Sequence, residues 1–146
     1  MATFSRNVTV NWEGSIMEGK GTAKAGSGAF NLPVSFPRRI GDAEGVTSPE
    51  ELMAAAHAAC YAMALNATIG RKGGAAAKTD VTATVTADKG DAGITITTSK
   101  LTVVAHGLTG ITKEQFPEVA REAEGKCPVS NALRGILTIE VATRIK

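Results

Sequence analysis

Residues 48–70 read SPEELMAAAHAACYAMALNATIG, and this stretch decides the fold. Ser48 is a typical helix N-cap residue, Pro49 suits the first helical position, and Glu51 stands at the capping-box spacing of three residues after the cap. The alanine, leucine and methionine residues that follow favour a helix that continues to about Gly70. The sequence therefore predicts one long helix in the middle of the chain.

The predicted helix is apolar on nearly every side from Leu52 to Leu65, so it has to be covered all round. A sheet covers only one face of a helix. A second helix and a partner subunit are the remaining covers, and the many alanines allow backbones to approach closely, so we expect a homodimer. The stretch is interrupted by His57 and is shorter than the ~18 apolar residues that span a bilayer, so no membrane partner is expected.

Strand patterns stand on both sides of this helix. Asn7 to Phe36 alternates and is punctuated by glycines, which indicates a small β-meander. The segments Lys78–Lys89 and Ile94–Ala105 have strand composition and flank a tight connection at residues 90–93, so they are expected to pair antiparallel. Leu137–Ile145 offers a last strand.

Two shorter helices are predicted between the last strands. One begins at the Thr112 cap signal or nearer Phe116 and ends at Gly125. The other begins after Cys127, with proline just inside it, and Gly135 can close it. Hairpins without regular alternation of strand and helix favour an α+β fold, and 146 residues suit one domain spanning residues 1–146.

Composition narrows the functional classes. Apolar residues make up 43% and charged residues 21% of the chain, which excludes disorder and a disulfide-dense miniature. Sixteen basic and fourteen acidic residues are spread without a block of like charge, so nucleic acid is not expected as a partner. Met1 to Gly14 shows no apolar segment of a secretory signal, so we expect a cytoplasmic protein.

The two cysteines, Cys60 and Cys127, form no CxxC pair and are expected to rest as thiols in a reducing compartment. Cys60, in the middle of the long helix, is either an inert small hydrophobe or a thiolate that needs a cation from elsewhere in the fold. His57, one turn away, either forms a Cys–His dyad with it or is a hydrogen-bonded core residue. Zinc bound by these three residues with His106 is disfavoured, because no pair has short ligand spacing.

Charge near the thiols is the second chemical signal. Cys127 stands at a helix start beside Lys126, where positive potential favours the thiolate. Arg38 and Arg39 follow Phe36 and Pro37 in an otherwise apolar stretch. A guanidinium there can stabilise a thiolate and orient an O–O bond, although a solvated pair is the plain alternative.

With these residues the chain resembles the osmotically inducible protein C (OsmC) family, within the OsmC/Ohr superfamily of thiol peroxidases. The resemblance runs essentially from end to end. It is carried by Trp12-Glu13-Gly14, Gly19-Lys20-Gly21, Pro49-Glu50-Glu51-Leu52, Ala56-His57-Ala58-Ala59-Cys60-Tyr61 and Cys127-Pro128-Val129-Ser130.

The resemblance implies a site of four residues. Cys60 takes the peroxidatic place, where its thiolate attacks a peroxide and becomes a sulfenic acid, and Cys127 is the resolving thiol that forms a disulfide with it. Arg39 matches the family's active-site arginine, with adjacent Arg38 as the alternative. Glu50 matches the carboxylate that holds this guanidinium.

The same resemblance implies an intertwined homodimer in which antiparallel sheets pack around long central helices. It implies a peroxidase that reduces organic hydroperoxides, and hydrogen peroxide less well, with no metal and no bound organic cofactor. An external dithiol, with lipoylated proteins as the suggested class, would reduce the disulfide. Phe36, Leu52 and Met53 are expected to line an apolar pocket. The rival hypothesis is a non-catalytic dimer that binds a small apolar ligand, and a thiol–disulfide oxidoreductase is weakened by the missing CxxC spacing.

Overall fold

The computed structural model of the protein describes all residues from 1 to 146. The chain forms two compact units, Met1–Pro49 and Glu50–Lys146, which are described one at a time. Six strands and four helices make up the two units, which confirms the α+β class. That residues 1–146 act as one domain stays a prediction.

The first unit contains the predicted β-meander. Strands β1 (Val8–Glu13), β2 (Lys20–Ala25) and β3 (Asn31–Val34) pair antiparallel in chain order. Short glycine-containing turns join them, as the punctuation of the sequence predicts.

The strand pattern was expected to extend to Phe36, but β3 ends at Val34 and a helix follows it. Residues Phe36–Ile40 form a short helix, α1, which carries both arginines in its last turn. Pro37 in the first turn presets a helical φ angle, and Gly41 closes the turn by donating its N–H to the Pro37 carbonyl at 3.0 Å. Five residues are too few for a periodic pattern, so the proline was the available signal.

The second unit is built on the long helix. Helix α2 spans Pro49–Arg71, 23 residues, which confirms the predicted helix and its limits. Its buried residues recur at helical spacing along one face: His57, Tyr61, Leu65, Thr68 and Ile69.

Helix α2 is long and apolar enough, by length and composition, to cross a membrane. The expectation from the sequence counted only the stretch from Leu52 to Leu65, whereas the whole helix is longer. A single helix of this kind is weak evidence of a membrane span, because core helices of soluble proteins share the same properties.

The second sheet has the order β4-β5-β6. Strands β4 (Lys78–Gly90) and β5 (Gly93–His106) form the predicted antiparallel hairpin. Strand β6 (Thr138–Ile145) pairs parallel with β5, which corrects the expectation of antiparallel sheets throughout. The chain between β5 and β6 contains two helices, and a crossover of this length lets a strand return in the same direction.

Those two helices are α3 (Phe116–Gly125) and α4 (Pro128–Leu133). Ahead of α3, Thr112 and Gln115 bond each other's backbone N–H through their side chains at 2.9 and 3.2 Å, so the predicted cap forms one turn before the helix. Gly135 follows α4 with a φ of +81°, a conformation that costs other residues energy, and it turns the chain toward β6.

One hydrophobic core unites the helices and strands of the second unit. The buried face of α2 packs with the row Leu101, Val103 and Ala105 of β5 and with the buried face of α3. The phenol of Tyr61 donates to the Ala120 carbonyl at 2.8 Å, which ties α2 to α3. Ser99 continues the β5 row toward the start of α2 as a fully buried polar residue.

Candidate functional site

Cys60 and Cys127 come together at the edge of this core. Both are free thiols, and the Cys60 thiol interacts with the Cys127 side chain and with the Val129 backbone. Cys60 is half-buried on α2, whereas Cys127 is fully buried. The fold therefore places two thiols that are distant in sequence where they can react with each other, and only Cys60 has exposed surface.

The surroundings of Cys60 favour its protonated form. Burial raises the pKa of the Cys60 thiol, the Val129 N–H bond opposes the rise, and the neighbouring Cys127 thiol adds to it. Cys60 accordingly needs a further positive group to become a nucleophile near neutral pH.

Cys127 is held by the turn that joins α3 to α4. It is the N-cap residue of α4, and its sulfur accepts the Ser130 N–H at 3.4 Å. Its own N–H donates to the Glu124 carbonyl at 3.1 Å. Arg134 bridges across this turn, bonding the Glu124 carboxylate at 2.8 Å and the Asn131 side chain at 3.2 Å. The segment carrying Cys127 is thus fixed on both sides.

His57 is a hydrogen-bonded core residue and not the partner of Cys60. Its ring is fully buried, with Nδ1 2.6 Å from Ser99 Oγ and Nε2 2.7 Å from Ser130 Oγ. Both ring nitrogens are therefore occupied by serine hydroxyls. Burial lowers the pKa of His57, against a smaller raising effect of Glu124, so the ring is neutral near pH 7.

The four residues weighed as zinc ligands do not converge. His106 bonds Asp80 at 2.8 Å, and Lys78 pairs with the same carboxylate at 3.0 Å. The hydrogen bonds from Lys78 and His106 lower the pKa of Asp80. No group of three or more His, Cys, Asp or Glu side chains has the arrangement of a metal site.

Arg39 and Glu50 lie in different units and their joint role stays a prediction. Arg39 is partly buried in the last turn of α1, and Glu50 is partly buried in the first turn of α2. Arg38 bonds to its own loop: its guanidinium pairs with Glu44 at 2.6 Å and donates to the Asp42 carbonyl at 3.2 Å. Arg38 thus stabilises its own loop.

The proposed pocket residues are also partly buried. Phe36 lies in α1, while Leu52 and Met53 lie near the start of α2. That they line a pocket for an apolar substrate stays a prediction.

Sequence reasoning missed that Ser99 and Ser130 bond the two ring nitrogens of His57. Ser130 belongs to the segment that carries the resemblance, but its partner lies in another element. The signal for Ser99 was its alternation with the apolar residues Leu101, Val103 and Ala105, which places a polar side chain on the buried face of β5.

Comparison with known proteins shows the family of this chain. The family model described as OsmC-like protein matches residues 41–142. The chain is 39% identical over 139 residues to "Peroxiredoxin OsmC" of Escherichia coli (strain K12), which covers 94% of this chain and 96% of that protein. It is 33% identical over 119 residues to "Organic hydroperoxide resistance protein OhrA" of Bacillus subtilis (strain 168), covering 77% and 81%.

A solved structure of an organic hydroperoxide resistance protein from Elizabethkingia anophelis matches 100% of both chains, with a TM-score of 0.76 and 26% identity. The family match covers residues 41–142, and the relative from Escherichia coli covers 94% of the chain. The protein therefore belongs to the OsmC family, within the OsmC/Ohr superfamily.

Proposed function

We propose that this protein is a two-cysteine peroxidase that reduces organic hydroperoxides, and hydrogen peroxide less well, to the corresponding alcohol or water. The single observation that carries the proposal is that the fold brings the free thiols of Cys60 and Cys127 close enough to interact with each other. The names of the relatives, a peroxiredoxin and an organic hydroperoxide resistance protein, support the same class of reaction.

The exposure of the two sulfurs supports Cys60 as the attacking residue, because Cys127 has no surface that a peroxide can reach. In the proposed reaction the Cys60 thiolate attacks one peroxide oxygen and the O–O bond breaks. The alkoxide leaves and takes a proton, which yields an alcohol and a Cys60 sulfenic acid. The Cys127 thiol then attacks the Cys60 sulfur, which forms a disulfide and releases water.

An external dithiol completes the proposed cycle. Its two thiols pass two electrons to the Cys60–Cys127 disulfide and become a disulfide themselves. The lipoyl group is the class of reductant that we propose. All steps are carried by sulfur, so the proposed cycle uses no bound cofactor.

Because the pKa of Cys60 is raised, the proposed cycle needs a positive group near this thiol. Burial disfavours the thiolate, and the Val129 N–H offsets only part of this effect. A guanidinium stays charged at any physiological pH and would favour the thiolate and the leaving alkoxide. We assign this role to Arg39, with Glu50 as the carboxylate that holds it.

Two apolar surfaces support a homodimer as part of the proposal. Helix α2 buries one face, while Met63 on the same helix is 73% exposed. In the first unit, Val8, Val10 and Trp12 share one face of β1 and are all exposed. Exposed apolar surface of this kind is a mark of association, and we propose that a second copy of the chain covers it.

We expect a solution mass of about twice the chain mass of 15.0 kDa at micromolar concentration. Analytical ultracentrifugation of the reduced protein measures it. Met63→Glu places a charge on the exposed face of α2 and should shift the equilibrium toward monomer, whereas Asp91→Glu, in the β4–β5 turn, should not. A particle of one chain mass in the unmodified protein would contradict the dimer.

The function is tested by one equivalent of cumene hydroperoxide added to the reduced protein. We expect the loss of two thiols per chain and an intramolecular disulfide between Cys60 and Cys127, identified by peptide mass spectrometry. Dihydrolipoamide should restore both thiols and allow repeated turnover. Thiols that survive an excess of cumene hydroperoxide would refute the peroxidase and favour a binding protein.

A further inference from the structure

A buried hydrogen-bonded chain lies beside the two thiols, and the proposed reaction does not use it. It consists of Ser99 on β5, His57 on α2 and Ser130 on α4, joined through the two nitrogens of the imidazole at 2.6 and 2.7 Å. All three residues are fully buried. Three polar residues in a core this small carry a desolvation cost, and their mutual bonds are what offsets it.

Ser130 connects this chain to the sulfurs. Its hydroxyl bonds His57, while its backbone N–H donates to the Cys127 sulfur at 3.4 Å. The backbone of the preceding residue, Val129, interacts with the Cys60 thiol and lowers its pKa. The backbone at residues 129–130 therefore interacts with both thiols, and its bond to Cys127 depends on how Ser130 is held.

His57 holds this backbone from the helix that carries Cys60. His57 and Cys60 are three positions apart on α2, which is about one helical turn. The bond between His57 and Ser130 therefore connects the part of α2 that carries Cys60 with the segment that carries Cys127. A rigid link between the two sulfur-bearing segments raises the effective concentration of one thiol at the other.

We propose that His57 is a positioning residue that acts through Ser130 to hold Cys127 against Cys60. The catalytic consequence rests on the proposed function. Closing the disulfide, with release of water, competes with attack of a second hydroperoxide on the Cys60 sulfenic acid, which yields a sulfinic acid and an alcohol. The His57–Ser130 bond favours the first outcome because it keeps the resolving sulfur in place.

Two substitutions separate the two bonds of the ring. The amide of His57→Gln reaches the position of Nε2 and can keep the Ser130 bond, whereas the amide of His57→Asn reaches the position of Nδ1 and can keep the Ser99 bond. Ser130→Ala and Ser99→Ala delete the same two bonds from the other side. His57→Asn and Ser130→Ala remove the bond to Ser130, whereas His57→Gln and Ser99→Ala remove the bond to Ser99. If His57 had only a packing role, both pairs of variants would change the protein to the same extent.

The test is the equilibrium of the Cys60–Cys127 disulfide with reduced and oxidised dithiothreitol, measured by thiol labelling and mass spectrometry. We expect His57→Asn and Ser130→Ala to weaken the disulfide about tenfold, as the loss of one buried hydrogen bond would. His57→Gln and Ser99→Ala should stay within about twofold. Equal shifts in both pairs, or no shift in either, would overturn the positioning role.

A second measurement tests whether the His57–Ser130 bond affects the proposed reaction with hydroperoxide. With excess cumene hydroperoxide, His57→Asn and Ser130→Ala should accumulate Cys60 sulfinic acid faster than the unmodified chain, and their controls should not. The dithiothreitol equilibrium needs no peroxide, so the expected shift there without any hydroperoxide turnover would refute the peroxidase and leave the positioning role standing. Hydroperoxide turnover together with unchanged dithiothreitol equilibria in the variants would support the peroxidase and refute the positioning role of His57.

Discussion

Replacing Cys60 by serine is expected to lower the rate of hydroperoxide reduction by at least about a thousandfold. A serine hydroxyl is not ionised near neutral pH, and no neighbouring base is placed to activate it, because both nitrogens of His57 are bonded to serines. The measurement is the disappearance of cumene hydroperoxide with dihydrolipoamide as reductant.

Cys127→Ser is the matched control for this prediction. It leaves the Cys60 sulfur in place, so one turnover should still occur and stop at the sulfenic acid, which dimedone traps as an adduct on Cys60. Cys60→Ser should give no adduct at all. An adduct on Cys127 in the Cys60→Ser variant would reverse the roles of the two thiols.

The helices and hairpins of this fold could be predicted because their signals are local. The capping sequence at Ser48 and Glu51 and the alanine-rich run mark α2, and the alternation on both sides of residues 90–93 marks the β4–β5 hairpin. The predicted limits agree closely with those of the structure.

The direction of β6 could not be predicted in the same way. Its sequence has strand composition, but parallel or antiparallel pairing depends on where the crossover through α3 and α4 returns the chain. Helix α1 was missed because five residues contain too few periods for a helical pattern to stand out.

The site shows the same division between local and distant information. The sequence left His57 open between a catalytic dyad and a core residue, since the spacing to Cys60 suits both. The structure shows a core residue, because Ser99 and Ser130, which lie on other elements, bond both ring nitrogens of His57. The meeting of Cys60 with Cys127 was likewise implied by resemblance and not by spacing.

The other large effect is expected from Arg39→Ala, which should lower the rate of Cys60 oxidation about a hundredfold, the usual cost of losing one charged group that stabilises a developing anion. Burial already raises the pKa of Cys60, so losing a cation should also move the acid limb of the rate profile to higher pH. Stopped-flow oxidation by cumene hydroperoxide across the pH range measures both effects.

Arg38→Ala is the control for that variant, because Arg38 is 40% exposed and engaged by Glu44, and its loss should change the rate less than about twofold. Equal losses in the two variants would remove the assignment to Arg39.

In the proposed homodimer, the guanidinium of Arg39 serves the thiol either of its own chain or of the partner. Mixing Cys60→Ser chains with Arg39→Ala chains decides between these: activity regained in the mixture means that Arg39 serves the other subunit, because one site of each mixed dimer then has both groups. A mixture that stays inactive after subunit exchange places both groups in one chain.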